Sequence, residues 1–153
     1  MKQIPLSQQG KHKGKFIALV DDGDFEWLNQ WRWSFIGNGY AYRKVNQKNI
    51  RMHKVIMECP KNLFIDHING NRLDNRRENL RIATFQQNSQ NVTKRANTTS
   101  IYKGVTWEKF TNAWACRLRN KTIGRFKEER HAALAYDIWA SEFYGEFAKL
   151  NFN

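Results

Sequence analysis

Asp66 and His67 are adjacent, and Asn79 and Asn88 follow 13 and 22 positions after Asp66. A carboxylate and an imidazole side by side at one strand end can serve two different partners. Asp66 can bind a hard divalent cation. His67, with an ordinary pKa of about 6.5, can take a proton from water. An amide oxygen on a following helix, from Asn88, can add a second metal ligand. Ligands that are all oxygen suit Mg²⁺ or Mn²⁺ rather than Zn²⁺. The plainer reading makes Asp66, Asn69 and Asn79 turn and cap residues, and Asp-His-x-Asn-Gly alone carries little information.

Positioning these groups takes a strand, a loop, a strand and a helix. Leu63–His67 reads as the first strand. The polar stretch Ile68–Asn79 has Asn69-Gly70-Asn71 and Asp74-Asn75 as turn formers, and Leu80–Phe85 reads as the second strand. Gln86–Lys94 lacks Gly and Pro and can form a helix. Just upstream, Met52–Met57 is a short apolar segment carrying His53. That histidine could touch a phosphate or support a metal site, but a lone His has little specificity, and packing or hydrogen bonding is the preferred reading. His12 and His131 read as surface residues. Earlier, Lys15–Val20 reads as a strand, Asp24 as the cap of a short helix, and Gly37-Asn38-Gly39 as a hairpin turn. Trp27, Trp31 and Trp33 are expected in the core of a mixed subdomain over residues 1–50.

The chain has 153 residues and a formal net charge of +12, with a pI near 10. The charge is clustered: residues 43–95 carry +8 and residues 101–127 carry +6, while 128–153 carry −3. Two basic blocks point to two contacts with a polyanion, nucleic acid first. No apolar run is long enough to span a membrane and no signal core opens the chain, so membrane and secretory roles are not expected. Cys59 and Cys116 form no CxxC pair. No zinc cage is therefore expected, and a thiol-reduced, cytoplasmic setting is.

The run Ile65-Asp66-His67-Ile68-Asn69-Gly70-Asn71-Arg72-Leu73-Asp74-Asn75-Arg76-Arg77-Glu78-Asn79-Leu80-Arg81, with Asn88 beyond it, resembles the core of the HNH endonucleases of the phage homing type. Arg51–Met57 is similar to the segment that precedes that core. The resemblance implies a ββα-metal fold over residues 51–95 and hydrolysis of DNA phosphodiesters with one divalent metal, Mg²⁺ or Mn²⁺. It implies His67 as general base, Asp66 and Asn88 as metal ligands, and Asn79 as the residue that positions the loop and the histidine. Arg72, Arg76, Arg77 and Arg81 are then expected to hold flanking phosphates. No structural zinc is expected, because the Cys pairs of zinc-stabilised members are missing.

Beyond a linker at residues 96–100, the pattern changes. Tyr102–Trp107, Ala113–Arg119 and Lys121–Phe126 read as strands, and Glu128–Tyr144 as an amphipathic helix burying Ala132, Ala135, Tyr136, Trp139 and Phe143. Alternation puts Arg117 and Arg119 together on the face away from the helix. Tyr102-Lys103-Gly104-Val105, Trp114–Arg119, Ile123–Phe126, Ala132–Asp137 and Lys149–Phe152 resemble, in order, the plant ethylene-response-factor (APETALA-type) DNA-binding domain. That resemblance implies a three-stranded antiparallel sheet packed on one helix and laid in the major groove, with Lys103, Arg117 and Arg119 at DNA-contact positions.

The expected whole is an α+β chain: a small N-terminal mixed subdomain, an HNH core and a sheet-plus-helix DNA-binding domain over 101–153. Its expected role is a site-specific endonuclease, of the homing type by its resemblance, acting on double-stranded DNA as a monomer or homodimer in a bacterial or phage-infected cell. The alternative is a nuclease-inactive, DNA-binding transcription regulator. An RNA-binding role suits the pattern less, since a groove-reading sheet does not match the deep, narrow groove of A-form RNA.

Overall fold

The structure is a computed structural model describing residues 1–7, 15–94 and 98–152. His12 and linker positions 96 and 97 lie outside the described residues. The chain is mixed α+β, with small antiparallel sheets and four α-helices among the described residues. It divides into two compact units, Met1–Phe85 and Gln86–Asn153.

In the first unit, β1 (Lys2–Pro5) pairs with β2 (Ile17–Val20), and helix α1 (Asp22–Leu28) follows. Strands β3 (Ser34–Ile36), β4 (Tyr40–Val45) and β5 (Lys48–Arg51) form a meander. The expected Gly37–Gly39 turn joins β3 to β4. Strand β5, which hydrophobic alternation does not mark, follows a turn in which Asn46 and Gln47 both have positive φ. Helix α2 (Met52–Ile56) then leads to β6 (Phe64–His67), which pairs with β7 (Leu80–Ala83).

One apolar cluster runs through all of this: Ile4, Ala18, Val20, Leu28, Trp33, Met52, Ile65 and Leu80 are among its buried members. Trp33 is fully buried and its indole N–H donates to the Leu28 carbonyl at 2.8 Å. Trp27 and Trp31 pack at the edge, not the centre, 5.9 Å apart and edge to face. Asp24 is not the helix cap: Asp21 holds that position, and Asp24 sits buried in the first turn.

The polar loop between β6 and β7 is pinned to β2 by backbone. The Leu19 amide donates to the Leu73 carbonyl, and the Asn75 amide donates to the Leu19 carbonyl, both at 2.8 Å. Leu73 is the loop's apolar anchor on the cluster, and these bonds fix the backbone on either side of it.

In the second unit, α3 (Phe85–Gln90) begins at the boundary. Strands β8 (Val105–Glu108), β9 (Ala113–Leu118) and β10 (Lys121–Phe126) form an antiparallel sheet in the order β10-β9-β8, and helix α4 (Glu129–Tyr144) packs on it. Helix α4 buries Ala132, Ala133, Tyr136, Asp137 and Ala140. The face expected to include Trp139 and Phe143 is rotated. Both are exposed and stack on each other at 5.8 Å. Small alanines let the helix sit close to the sheet, and the larger rings are left outside. Gly104 has a φ of +74°, and a Cβ there would meet the Tyr136 ring at 1.9 Å. Only glycine suits that position.

Candidate active site

Asp66 and His67 close strand β6, opposite Arg81 and Leu80 of β7. Both are buried. Arg81 donates from Nε and Nη2, at 2.9 and 2.8 Å, to Oδ2 of Asp66. A buried carboxylate needs such compensation, and the pair fixes its direction. Arg81, expected on a phosphate, is therefore engaged inside the unit.

The Asn75 side chain, whose amide donates to the Leu73 carbonyl at 3.1 Å, acts on the His67 ring. Burial, the largest influence, pushes its pKa below the ordinary histidine value. Arg72 pushes the same way, while Asn75, Asp66 and Asp74 push back. The favoured form is the neutral ring, which is the form able to accept a proton.

Asn79 is buried and spans the loop with its amide. Its Oδ1 accepts from the Asn69 amide at 2.9 Å, and its Nδ2 donates to the Asp74 carbonyl at 2.8 Å. Asn69 in turn donates to Asp74 Oδ2 at 2.9 Å. These bonds connect Asn69, two residues after β6, to Asn79, the residue before β7, so the strand end bearing His67 has a fixed frame.

Three more arginines were expected on phosphates. Arg76 donates from Nε and Nη2 to Asp74 at 2.8 and 2.7 Å, and also pairs with Glu78. Arg77 donates from Nε and Nη2 to the two oxygens of Asp24, both at 2.8 Å. Arg72 donates to the Asn38 carbonyl and lies 4.9 Å over the Tyr40 ring. All three thus have partners within the unit.

Tyr40 and His53 are close to His67 in space, although nothing in local spacing marks them. The His53 and His67 rings meet at 90° with centroids 5.1 Å apart, and Tyr40 lies 5.0 and 5.9 Å from the two. Asn88 stands part-buried on α3, in the second unit. Among the described residues no group of three or more His, Cys, Asp or Glu is placed to hold a metal ion.

In the second unit, Arg117 is exposed on β9. Its Nη2 donates to Glu108 Oε1 at 2.7 Å, and Arg125 Nε donates to Glu108 Oε2 at 2.7 Å. The hydrogen bond from Arg117, then that from Arg125, holds the Glu108 carboxyl down to about 2. Arg119 does not share this face. It lies past the end of β9 with a φ of +55°, its guanidinium 5.7 Å over the Tyr144 ring of α4. The two-residue turn into β10 breaks the alternation there. Lys103 folds its ammonium onto the Gln90 carbonyl, and burial followed by Lys149 pushes its pKa down to about 8. Lys103, Arg117 and Arg119 nevertheless border one cleft of about 500 Å³, together with Gln86, Ser89 and Gln90. Arg125 escaped the sequence reading because an irregularity between Thr122 and Gly124 shifts the register of β10.

A family model for HNH endonucleases matches residues 58–90, the stretch that holds Asp66, His67, Asn79 and Asn88. The chain is also 32% identical over 151 residues to the uncharacterized HNH endonuclease L560 of Acanthamoeba polyphaga mimivirus, covering 93% of this chain and 78% of that protein. This chain belongs to the HNH endonuclease family. Protein 3.8 of Escherichia phage T7 is 42% identical over 55 residues, covering 36% of this chain and 46% of that protein. YosQ, an SPbeta prophage-derived protein of Bacillus subtilis (strain 168) named for an HNH homing endonuclease, is 34% identical over 61 residues, covering 37% of this chain and 35% of its own. No solved structure matches the chain. As an HNH endonuclease the protein is a DNA-cleaving hydrolase, and enzymes of this family use a divalent metal. No helix among the described residues is long and apolar enough to cross a membrane.

Proposed function

We propose that this HNH endonuclease cuts double-stranded DNA at chosen sites, with His67 as the general base, and that it is a homing endonuclease. The observation that carries the reading is the buried His67 imidazole, its neutral form favoured by burial, at the end of the strand that also bears Asp66. A neutral, fixed imidazole can take the proton of a water as its oxygen attacks phosphorus, and such a group contributes about 10²–10⁴-fold in rate. Asn79 acts as a positioning residue through its bonds to Asn69 and Asp74. In the family's terms, β6, β7 and α3 would make up a ββα-metal core.

The donor chemistry suits a hard cation. Asp66 offers a carboxylate oxygen and Asn88 an amide oxygen, and such a hard, all-oxygen pair suits an ion that keeps water and takes phosphate oxygens. Asp66 and Asn88 would hold it. Mg²⁺ or Mn²⁺ in that position would stabilise charge on the phosphate and on the leaving 3′ oxygen.

The second unit, with its basic sheet-plus-helix, serves as the DNA-targeting domain of the ethylene-response-factor type. Arg117 is its candidate base reader, while Lys103 and Arg119 border the neighbouring cleft and suit backbone phosphates. The first test is cleavage of plasmid DNA by wild type and His67→Ala with Mg²⁺, Mn²⁺ or EDTA. Metal-dependent cutting that His67→Ala lacks supports the reading, and full activity in the variant removes it.

A further inference from the structure

His53 lies on the first turn of α2 and is 3% exposed. Its Nδ1 is buried and has no hydrogen-bond partner. Buried polar atoms are almost always paired, so an orphan of this kind points to a partner that arrives from outside. The ring is not lost in the apolar core. It meets His67 edge to face at 5.1 Å, and Tyr40 packs against both.

The surroundings favour an anion. Two guanidiniums converge on the Tyr40 ring, Arg51 at 4.7 Å and Arg72 at 4.9 Å. Arg51 also acts on His53 electrostatically, and Arg72 on His67. Burial first, then His67 and Arg51, push the His53 pKa down to about 3. The ring is therefore a neutral donor and not a cation at neutral pH.

We infer that His53 is a catalytic residue of this nuclease: a ring N–H donates to a non-bridging oxygen of the phosphate under attack, in a subsite rimmed by Arg51 and Arg72. The inference rests on the assignment of His67 as base, because the subsite is defined by its distance from that ring. A donor aimed at the phosphate strengthens as negative charge builds in the transition state, so its effect falls on kcat and not on DNA affinity.

The test uses the full-length protein, Mn²⁺, and a duplex carrying its mapped cut site. Cleavage is measured on the ordinary phosphate and on each phosphorothioate diastereomer at the scissile position. His53→Phe keeps a ring and removes both nitrogens, and His53→Asn restores an N–H near Nδ1. His53→Phe is expected to lose about 10²-fold in kcat with its DNA Kd within about twofold of wild type. His53→Asn is expected to recover part of that loss. One diastereomer should slow the wild type and lose that effect in His53→Phe. Thermal melting of His53→Phe at pH 7 should match or exceed wild type, since the orphan nitrogen is gone. Wild-type kcat in His53→Phe, an unchanged diastereomer effect, or a rate loss that follows a lower melting temperature each overturns the inference. If His67→Ala cleaves normally in the same assay, the base assignment fails, a result distinguishable from failure at His53.

Discussion

Arg77 grips Asp24 through two parallel hydrogen bonds of 2.8 Å each, across 53 positions of sequence. The Arg77 amide also donates to Asp21 Oδ2 at 2.8 Å. Helix α1 thus anchors the chain just before Asn79, and the end of the polar loop is tied to a rigid element. From there hydrogen bonds run on through Asn79 to Asn69, two residues past His67.

Breaking the tie should loosen the loop. Asp24 is buried, so Arg77→Ala leaves a charge without its partner, and we expect a loss of about 1–3 kcal/mol in urea denaturation. Cleavage should fall as well, with kcat affected more than Kd. The double variant Asp24→Asn/Arg77→Ala should be less destabilised than the sum of the single changes. Strictly additive losses would show that the pair does not act as a unit.

Two imidazoles with lowered pKa values predict an acid-sensitive protein. A buried histidine whose folded pKa lies below the unfolded value of about 6.5 supplies stability above that pH. The stability is lost as pH falls through the window down to the folded value. For His53 the window runs from 6.5 to about 3. Relative to His53→Phe, wild type should lose up to about 1.4 kcal/mol per pH unit between pH 6 and 4. For His67 the same direction places the acid limb of kcat/KM below 6.5. A pH-independent difference between wild type and His53→Phe would contradict the first statement, and an acid limb above 6.5 the second.

The Glu108 carboxylate restrains Arg117 and Arg125 together. Glu108→Gln should free both guanidiniums and remove a negative charge from the basic sheet face. Affinity for random DNA should rise and discrimination between sequences should drop, read by competition binding at two salt concentrations. Arg117→Ala should relax preference at one or two base positions, worth about 1–3 kcal/mol if the contact is bidentate to guanine. Unchanged discrimination in both variants would move base reading elsewhere.

Much of the site could be read from the chain because its signals are local. Asp66-His67 and the Asn69–Asn79 turn residues form one short run, and the family match covers the same stretch. The helix and the three strands of residues 101–153 also show as periodic patterns. What periodicity cannot show is pairing across distance. Asp24 looks like a cap because Asp before an apolar stretch commonly is one, but its carboxylate belongs to Arg77. Arg76 and Arg81 look like phosphate ligands until Asp74 and Asp66 are seen to hold them. Arg119 follows strand alternation on paper, and a left-handed turn takes it off the face. Tyr40 reaches His53 and His67 through the β4–β5 meander, which no motif announces.

The targeting role of the second unit has its own test. Residues 1–97 should cut DNA weakly and with little site preference compared with the full chain, because base-edge contacts give choice and phosphate contacts do not. Cleavage-site profiles on the same randomised DNA measure the difference. Identical profiles and rates would remove the targeting role from residues 98–153.

The central assignment is His67 as the base of metal-dependent cleavage. The most direct measurement is single-turnover cleavage of DNA by purified His67→Ala beside wild type, in Mg²⁺, with Kd measured on the same DNA. The predicted result is a rate lower by about 10²–10⁴-fold with Kd nearly unchanged. Wild-type-level cleavage by His67→Ala would contradict it.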